Sequence, residues 1–164
     1  MSAPAEVRIR PAVARDMDAV GRLGALLVRT HHEFDGLRFL PETPDTVRGY
    51  GAYLRSQLNK SNVVLLVADE GGEVVGYTYA GLEDYDYMSL RGPAGVLYDI
   101  AVDEAHRRHG VGRQLLDATL AELTSRGAPR VVLSTAQQNG AAQRLFEHAG
   151  FRRTMIEMTR ELAV

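Results

Sequence analysis

The 164-residue chain contains no cysteine. Disulfides, thiolate nucleophiles and cysteine-ligated zinc are thereby excluded. Lysine is nearly absent as well: Lys60 is the only one, and arginine supplies the rest of the positive charge. That bias reads as genome composition rather than function. No apolar run approaches the roughly 20 residues of a membrane-spanning helix. Met1 to Val7 lacks the basic segment and apolar run of a secretory signal, so no membrane association and a cytoplasmic location are the expectations. Large net charge is missing too, at −2, which argues against a general binder of nucleic acid or anionic membrane. What is present is a 45% share of hydrophobic residues, enough to bury a core, and a length that suits one domain over residues 1–164.

Hydrophobic period sorts the chain into elements. Val7 to Arg10 alternates as a short strand. Asp16 opens a helix with Met17, Val20, Leu23 and Leu27 on one face, fading near His31-His32. Thr43-Pro44 resembles a helix start, a capping hydroxyl before a proline, and Val47, Tyr50, Leu54 and Leu58 continue it. Val63 to Val67 and Val74 to Ala80 read as strands of a hairpin closed by Asp69-Glu70-Gly71-Gly72. Leu82 to Pro93 is acidic, aromatic and irregular, and reads as a loop. Val96 to Val102 is a further strand, followed by a helix with Leu115, Leu116, Leu120 and Leu123 inward. Val131 to Ser134 is a buried strand. Asn139 starts a last helix through Ala142, Leu145, Phe146 and Ala149, closed by Gly150. Phe151 to Leu162 is expected to supply one or more terminal strands. The order predicts an α/β domain with a mixed central β-sheet flanked by helices.

The most informative stretch joins Asp99-Ile100-Ala101-Val102 to Arg107-Arg108-His109-Gly110-Val111-Gly112-Arg113. A strand, a glycine turn and a helix N-terminus in series converge backbone N–H groups and a helix dipole on one point, which suits a phosphate. A dinucleotide fold would need a third glycine where Leu115 stands, near the first strand of the fold. A P-loop would need Lys-Ser/Thr where Arg113-Gln114 stands. The plain structural reading is a tight turn into a helix and nothing more.

Arg107-Arg108-His109-Gly110-Val111-Gly112 also fits Arg/Gln-x-x-Gly-x-Gly/Ala, and the chain resembles the GNAT acetyltransferase superfamily in this motif. Asn139-Gly140-Ala141-Ala142 through Leu145-Phe146-Glu147-His148-Ala149-Gly150-Phe151 resembles the superfamily's C-terminal motif. Ile9-Arg10-Pro11-Ala12 with Asp16 resembles its usual start. The resemblance implies a single GNAT domain that binds acetyl-CoA between the strands ending near Val102 and Ser134. Backbone groups of Arg108, His109, Gly110, Val111, Gly112 and Arg113 would cradle the pyrophosphate. Arg107, Arg108 and Arg113 would add charge. Ile100, Ala101 and Val102 would pair with the pantetheine arm, and one N–H would polarise the thioester carbonyl. Asn139 would face the cofactor, or cap its helix, and Phe146 would pack along the arm.

The implied reaction is direct attack of a primary amine of a small molecule or peptide on the thioester, which calls for a general base. Asp99 is the candidate base, because a carboxylate inside an apolar strand is costly without a purpose. Tyr98, of opposite strand parity, is either a core aromatic or part of the acceptor pocket. The superfamily often carries a tyrosine acid where this chain has Phe146. Another tyrosine could then donate the proton (Tyr77, Tyr79, Tyr85 and Tyr87 are the candidates), or the chain is a non-catalytic acyl-CoA-binding module. His31 to Asp35 and Glu83 to Tyr87 suit an amine acceptor, or are solvated loops. No metal motif is present, and a homodimer through the terminal strands is an expectation.

Overall fold

In the computed structural model, which describes residues 6–163, five strands and four helices follow one another in the expected order. Most of Met1–Val7 and the terminal Val164 lie outside the described residues. The strands are β1 (Val7–Pro11), β2 (Val63–Glu70), β3 (Glu73–Glu83), β4 (Ala94–Val102) and β5 (Val131–Leu133). The helices are α1 (Met17–Phe34), α2 (Thr46–Gln57), α3 (Val111–Ser125) and α4 (Gly140–His148). Sheet order is β1-β2-β3-β4-β5. The first four strands pair antiparallel and β5 lies parallel to β4, so the sheet is mixed.

Strand alternation sends side chains to two cores. Leu65, Val67, Tyr77 and Tyr79 pack under Met17, Val20, Leu23 and Leu54 of α1 and α2. Val64, Leu66, Ala80 and Leu97 face Leu116 and Leu123 of α3 and Phe146 of α4. Arg10 ties the first strand to its neighbours through Asp16 (2.8 Å) and Asp69 (2.9 Å). Asp16 is buried at 4% exposure, and the Arg10 guanidinium holds its carboxyl below the usual range despite that burial. Such a buried acid needs its cation, since removal of one partner leaves an uncompensated charge.

Strands β2, β3 and β4 run longer than the sequence reading, β3 continuing to Glu83 where a loop is expected from Leu82, and three further differences have identifiable causes. Helix α1 continues through His31-His32 to Phe34, because the ring of His31 packs edge-on against Phe34 and Phe39 and extends the apolar face. Helix α2 begins at Thr46 rather than at Thr43-Pro44; the Thr46 hydroxyl accepts from the Thr43 N–H at 2.8 Å, so the Thr-Pro pair forms the turn before the helix. The largest correction is at the end of the chain. Residues 151–163 form no strand, since neither edge of the sheet pairs with them. Among the described residues, no helix is long and apolar enough to cross a membrane.

Candidate active site

Strands β4 and β5 pair over three residues only, Gly95↔Val131 to Leu97↔Leu133. Beyond Leu97 they separate, and the edge of β4 that faces β5 is open. A β-bulge decides which groups occupy that edge. Tyr79 pairs with Asp99 and Ala80 with Leu97, so Tyr98 is the extra residue. The hydrogen bonds record the resulting flip. The Gly95 N–H donates to Arg130 on the β5 side, whereas the Asp103 N–H donates to Val75 of β3, both at 2.8 Å. Residues of one parity thus change sides across the bulge. By that alternation the N–H groups of Ile100 and Val102 point into the opening, and the Val102 carbonyl there accepts from Arg107 Nε at 3.2 Å.

Tyr98 and Asp99 both line a cleft of about 360 Å³ together with Leu27, His31, Tyr50, Ile100, Asn139 and Phe146. Strict parity would have put these two neighbours on opposite faces. Tyr98 is 44% exposed, and its hydroxyl donates to Glu83 at 2.7 Å. Burial and this carboxylate push its pKa up. Phe146 is buried and packs edge-on to Phe151 at 5.9 Å. The side chain of Asn139 accepts from the Ala142 N–H at 3.1 Å, so one residue caps α4 and also lines the cleft.

Asp99 is the one carboxylate among the described residues that line the cleft. Its Oδ2 accepts from Tyr50 at 2.7 Å and from Tyr77 at 2.9 Å. Burial raises its pKa above the ordinary carboxylate value, partly offset by the two hydroxyls and by nearby His31. Burial and the adjacent carboxylate raise both tyrosines in turn, which keeps them as donors. Sequence reasoning placed Tyr50 on a helix face and gave it no part here. Its position depends on Gly24, where a Cβ would stand 2.2 Å from the Tyr50 ring. Only a residue without a Cβ lets the ring lie against α1 with its hydroxyl at Asp99. His31 contributes a second polar group. Its Nδ1 lies 2.8 Å from the Leu27 carbonyl, which can only accept, so in the neutral ring Nε2 is left as the free acceptor.

At the C-terminal end of β4 the chain reaches the glycine turn. Arg108 (φ +64°) and Gly110 (φ +80°) are both left-handed, a combination that turns successive N–H groups toward a common point. Such a conformation is strained for Arg108. A Cβ on Gly110 would meet nothing within 4 Å, and one on Gly112 only Leu145 at 3.6 Å and Val102 at 3.8 Å. The space over the turn is therefore open to an incoming group. Arg113 is turned along its own helix, with Nε 2.8 Å from Asp117. Residues Glu83 to Tyr87 are not part of the cleft lining, which only Glu83 touches, through Tyr98; Tyr85 and Tyr87 are exposed and stacked at 5.9 Å. A broader depression of about 620 Å³ along Arg15, Arg22 and Arg29 also carries Glu73, Asp103 and Glu104 and contains none of the expected site residues.

A mixed sheet that opens beside a left-handed turn, with a carboxylate near the opening, agrees with the acyltransferase fold that the sequence resemblance implies. The model of the acetyltransferase (GNAT) family matches residues 26–151, and the chain belongs to that family. It is 38% identical over 96 residues to a mycothiol acetyltransferase of Thermobispora bispora, covering 56% of this chain and 31% of that protein. The chain thus spans about a third of that relative's length. It is 27% identical to an uncharacterised N-acetyltransferase, YhfO, of Bacillus subtilis, over 88% of this chain and 89% of the other. The fold superimposes on an aminoglycoside N-acetyltransferase, AAC(6')-Iy, solved in complex with CoA. That match has a TM-score of 0.73 and 19% identity, and covers 100% of this chain and 99% of the other.

Proposed function

We propose that this protein is an N-acetyltransferase that transfers the acetyl group of acetyl-CoA to a primary amine of a small molecule or peptide, with both substrates bound together. The observation that carries the reading is the succession of three features along one stretch of chain: the Asp99 carboxylate, the open β4 edge at Ile100 and Val102, and the left-handed turn at Arg108 and Gly110. Open space over Gly110 fits a pyrophosphate, and a free strand edge fits an extended arm bearing amides. The acetyl donor supplies an activated thioester carbon.

The chain's own residues supply the remainder. The N–H groups of Ile100 and Val102 hold the arm and one of them faces the charge that develops on the thioester oxygen. Asp99, fixed by Tyr50 and Tyr77, accepts the amine proton through water, which frees the nitrogen lone pair. The C–N bond forms, the C–S bond breaks, and the departing thiolate takes up, through water, the second proton that the new amide nitrogen sheds. With a free thiol pKa of about 8.5, that leaving group does not require a strong acid, so Phe146 in place of a tyrosine is tolerated. His31, with Nε2 free, and Tyr98 shape the space for the amine.

Titration calorimetry with acetyl-CoA, followed by mass analysis of a panel of amines and peptides, tests the reading. Binding together with acetyl-CoA-dependent acetylation is expected. Absence of binding overturns it, and binding without turnover on any acceptor would favour the binding-module alternative raised by Phe146.

A further inference from the structure

The segment between β4 and α3 carries the glycine turn, yet little holds it in place. Residues 104–110 contribute no buried side chain, and Glu104–His106 form one short helical turn. Two bonds shape the segment locally. The His106 N–H donates to the Asp103 carbonyl at 3.0 Å, and Arg107 Nε donates to the Val102 carbonyl at 3.2 Å. One contact reaches further. The His106 ring lies between two carboxylates, with Nδ1 2.9 Å from Asp103 and Nε2 3.0 Å from Glu70 at the end of β2. Among the described residues, His106 is the one side chain of residues 104–110 that bonds to an element other than β4 and its own loop.

Both ring nitrogens face oxygens that, when ionised, can only accept. Both nitrogens must then donate, which makes the ring an imidazolium. Asp103 and Glu70 raise its pKa above the ordinary value, and the ring holds the Asp103 carboxyl below its own. The other charges nearby do not take its place. Glu73 lies across from Glu70 in the β2–β3 hairpin, Asp69 is taken up by Arg10, and Glu104 and Arg107 are the histidine's neighbours in its own segment. On β1, uncharged Val7 pairs with Glu70, between Glu6 and Arg8. A neutral ring keeps one N–H and turns a lone pair toward the other carboxylate. No second cation is bonded to Glu70 or Asp103 among the described residues.

We propose that His106 is a positioning residue for the donor: bridging Glu70 and Asp103 as an imidazolium, it holds the turn at Arg108 and Gly110 in its binding shape, and acetyl-CoA binds less tightly once the ring loses its proton. The inference rests on the reading of that turn as the pyrophosphate cradle. His106 acts through the turn and touches no reacting atom, so its effect falls on donor binding and not on the chemical step.

The full chain is titrated with acetyl-CoA by calorimetry from about pH 6.5, the ordinary imidazole value, to about pH 9. Affinity is expected to fall about tenfold over that range, the scale of one lost hydrogen bond to a charged group. The ligand's phosphate monoester ionises near about pH 6 and gains charge as pH rises, which acts in the opposite sense. His106→Gln is expected to bind weakly throughout, without that fall. In Glu70→Gln the fall should move to lower pH, because one of the two anions that favour the charged ring is gone. At any one pH, KM for acetyl-CoA should rise in His106→Gln while kcat at saturating donor stays that of the wild type. Wild-type affinity that does not fall with pH, or a fall left unmoved by Glu70→Gln, overturns the inference and leaves the functional reading standing. No binding at any pH overturns both. A readout that needs no ligand is the His106 ring resonance, identified by its absence from the spectrum of His106→Gln. It is expected to titrate above about 6.5, and a lower value overturns the inference.

Discussion

The two halves of the candidate site are built on different principles. The half at the end of β4 is backbone: the open N–H groups of Ile100 and Val102 and the left-handed turn at Arg108 and Gly110 lie within a dozen residues of one another. The opposite half is side chains brought together from afar. Tyr50 reaches Asp99 across 49 residues and Tyr77 across 22. Groups of the first kind are hard to remove by truncation and are damaged by adding atoms. Groups of the second kind are lost with one substitution. This contrast suits a constant donor, recognised by the peptide groups that every chain has, and an acceptor chosen by side chains.

The contrast can be broken from either side. The largest effect is expected at Asp99→Asn, with kcat lower by about 10²–10⁴-fold, the usual scale of a lost general base, and acetyl-CoA affinity retained. Because burial raises the Asp99 pKa in the folded protein, kcat/KM of the wild type should fall on acidification at a pH above the usual carboxylate value of about 4. That limb should vanish in the variant. The sign for stability is opposite to that of a paired acid. A carboxyl raised by folding opposes stability once ionised, so Asp99→Asn should leave Tm unchanged or higher. A normal acid limb in the variant, or a clear fall in Tm, would contradict this assignment.

On the backbone side, Gly112→Asp is expected to weaken acetyl-CoA by about 100-fold, or roughly 2.8 kcal/mol, as measured by calorimetry. Gly112→Ala should cost much less, because its Cβ meets only ordinary contacts. Equal losses in the two would mean that shape rather than charge governs the turn. A smaller effect, about tenfold in kcat/KM for one lost hydrogen bond to a charged group, is expected for Tyr50→Phe. The acid limb should move to higher pH, since one of the two hydroxyls that favour ionised Asp99 is gone. The smallest effect is expected at Phe146→Tyr. If no strong acid is needed for the thiolate, turnover should change by less than about threefold. A large gain would show that a proton donor was missing.

Much of this architecture is legible in the sequence wherever the signal is local. The order of elements, the hairpin at Gly71-Gly72 and the glycine turn before α3 all appear where short-range patterns placed them. Asn139 caps α4, one of the two roles open to it, and lines the cleft. The misreadings share a cause. The end of α1 depends on His31 stacking with Phe39, and the start of α2 on which hydroxyl the Thr43 N–H finds. Residues 151–163 have strand composition and no strand, because a strand also needs an edge to pair with.

The sequence by itself determined the α/β order of elements and the position of the glycine turn before α3, since each follows from the spacing of neighbouring residues. Tertiary structure alone decided which side chains meet. The bulge at Tyr98 turns two residues of opposite parity into one cleft, and the bare surface of Gly24 lets Tyr50 reach Asp99. A one-residue slip in register leaves no mark on hydrophobic period, and a contact spanning 49 residues is fixed by packing of the whole sheet and its helices.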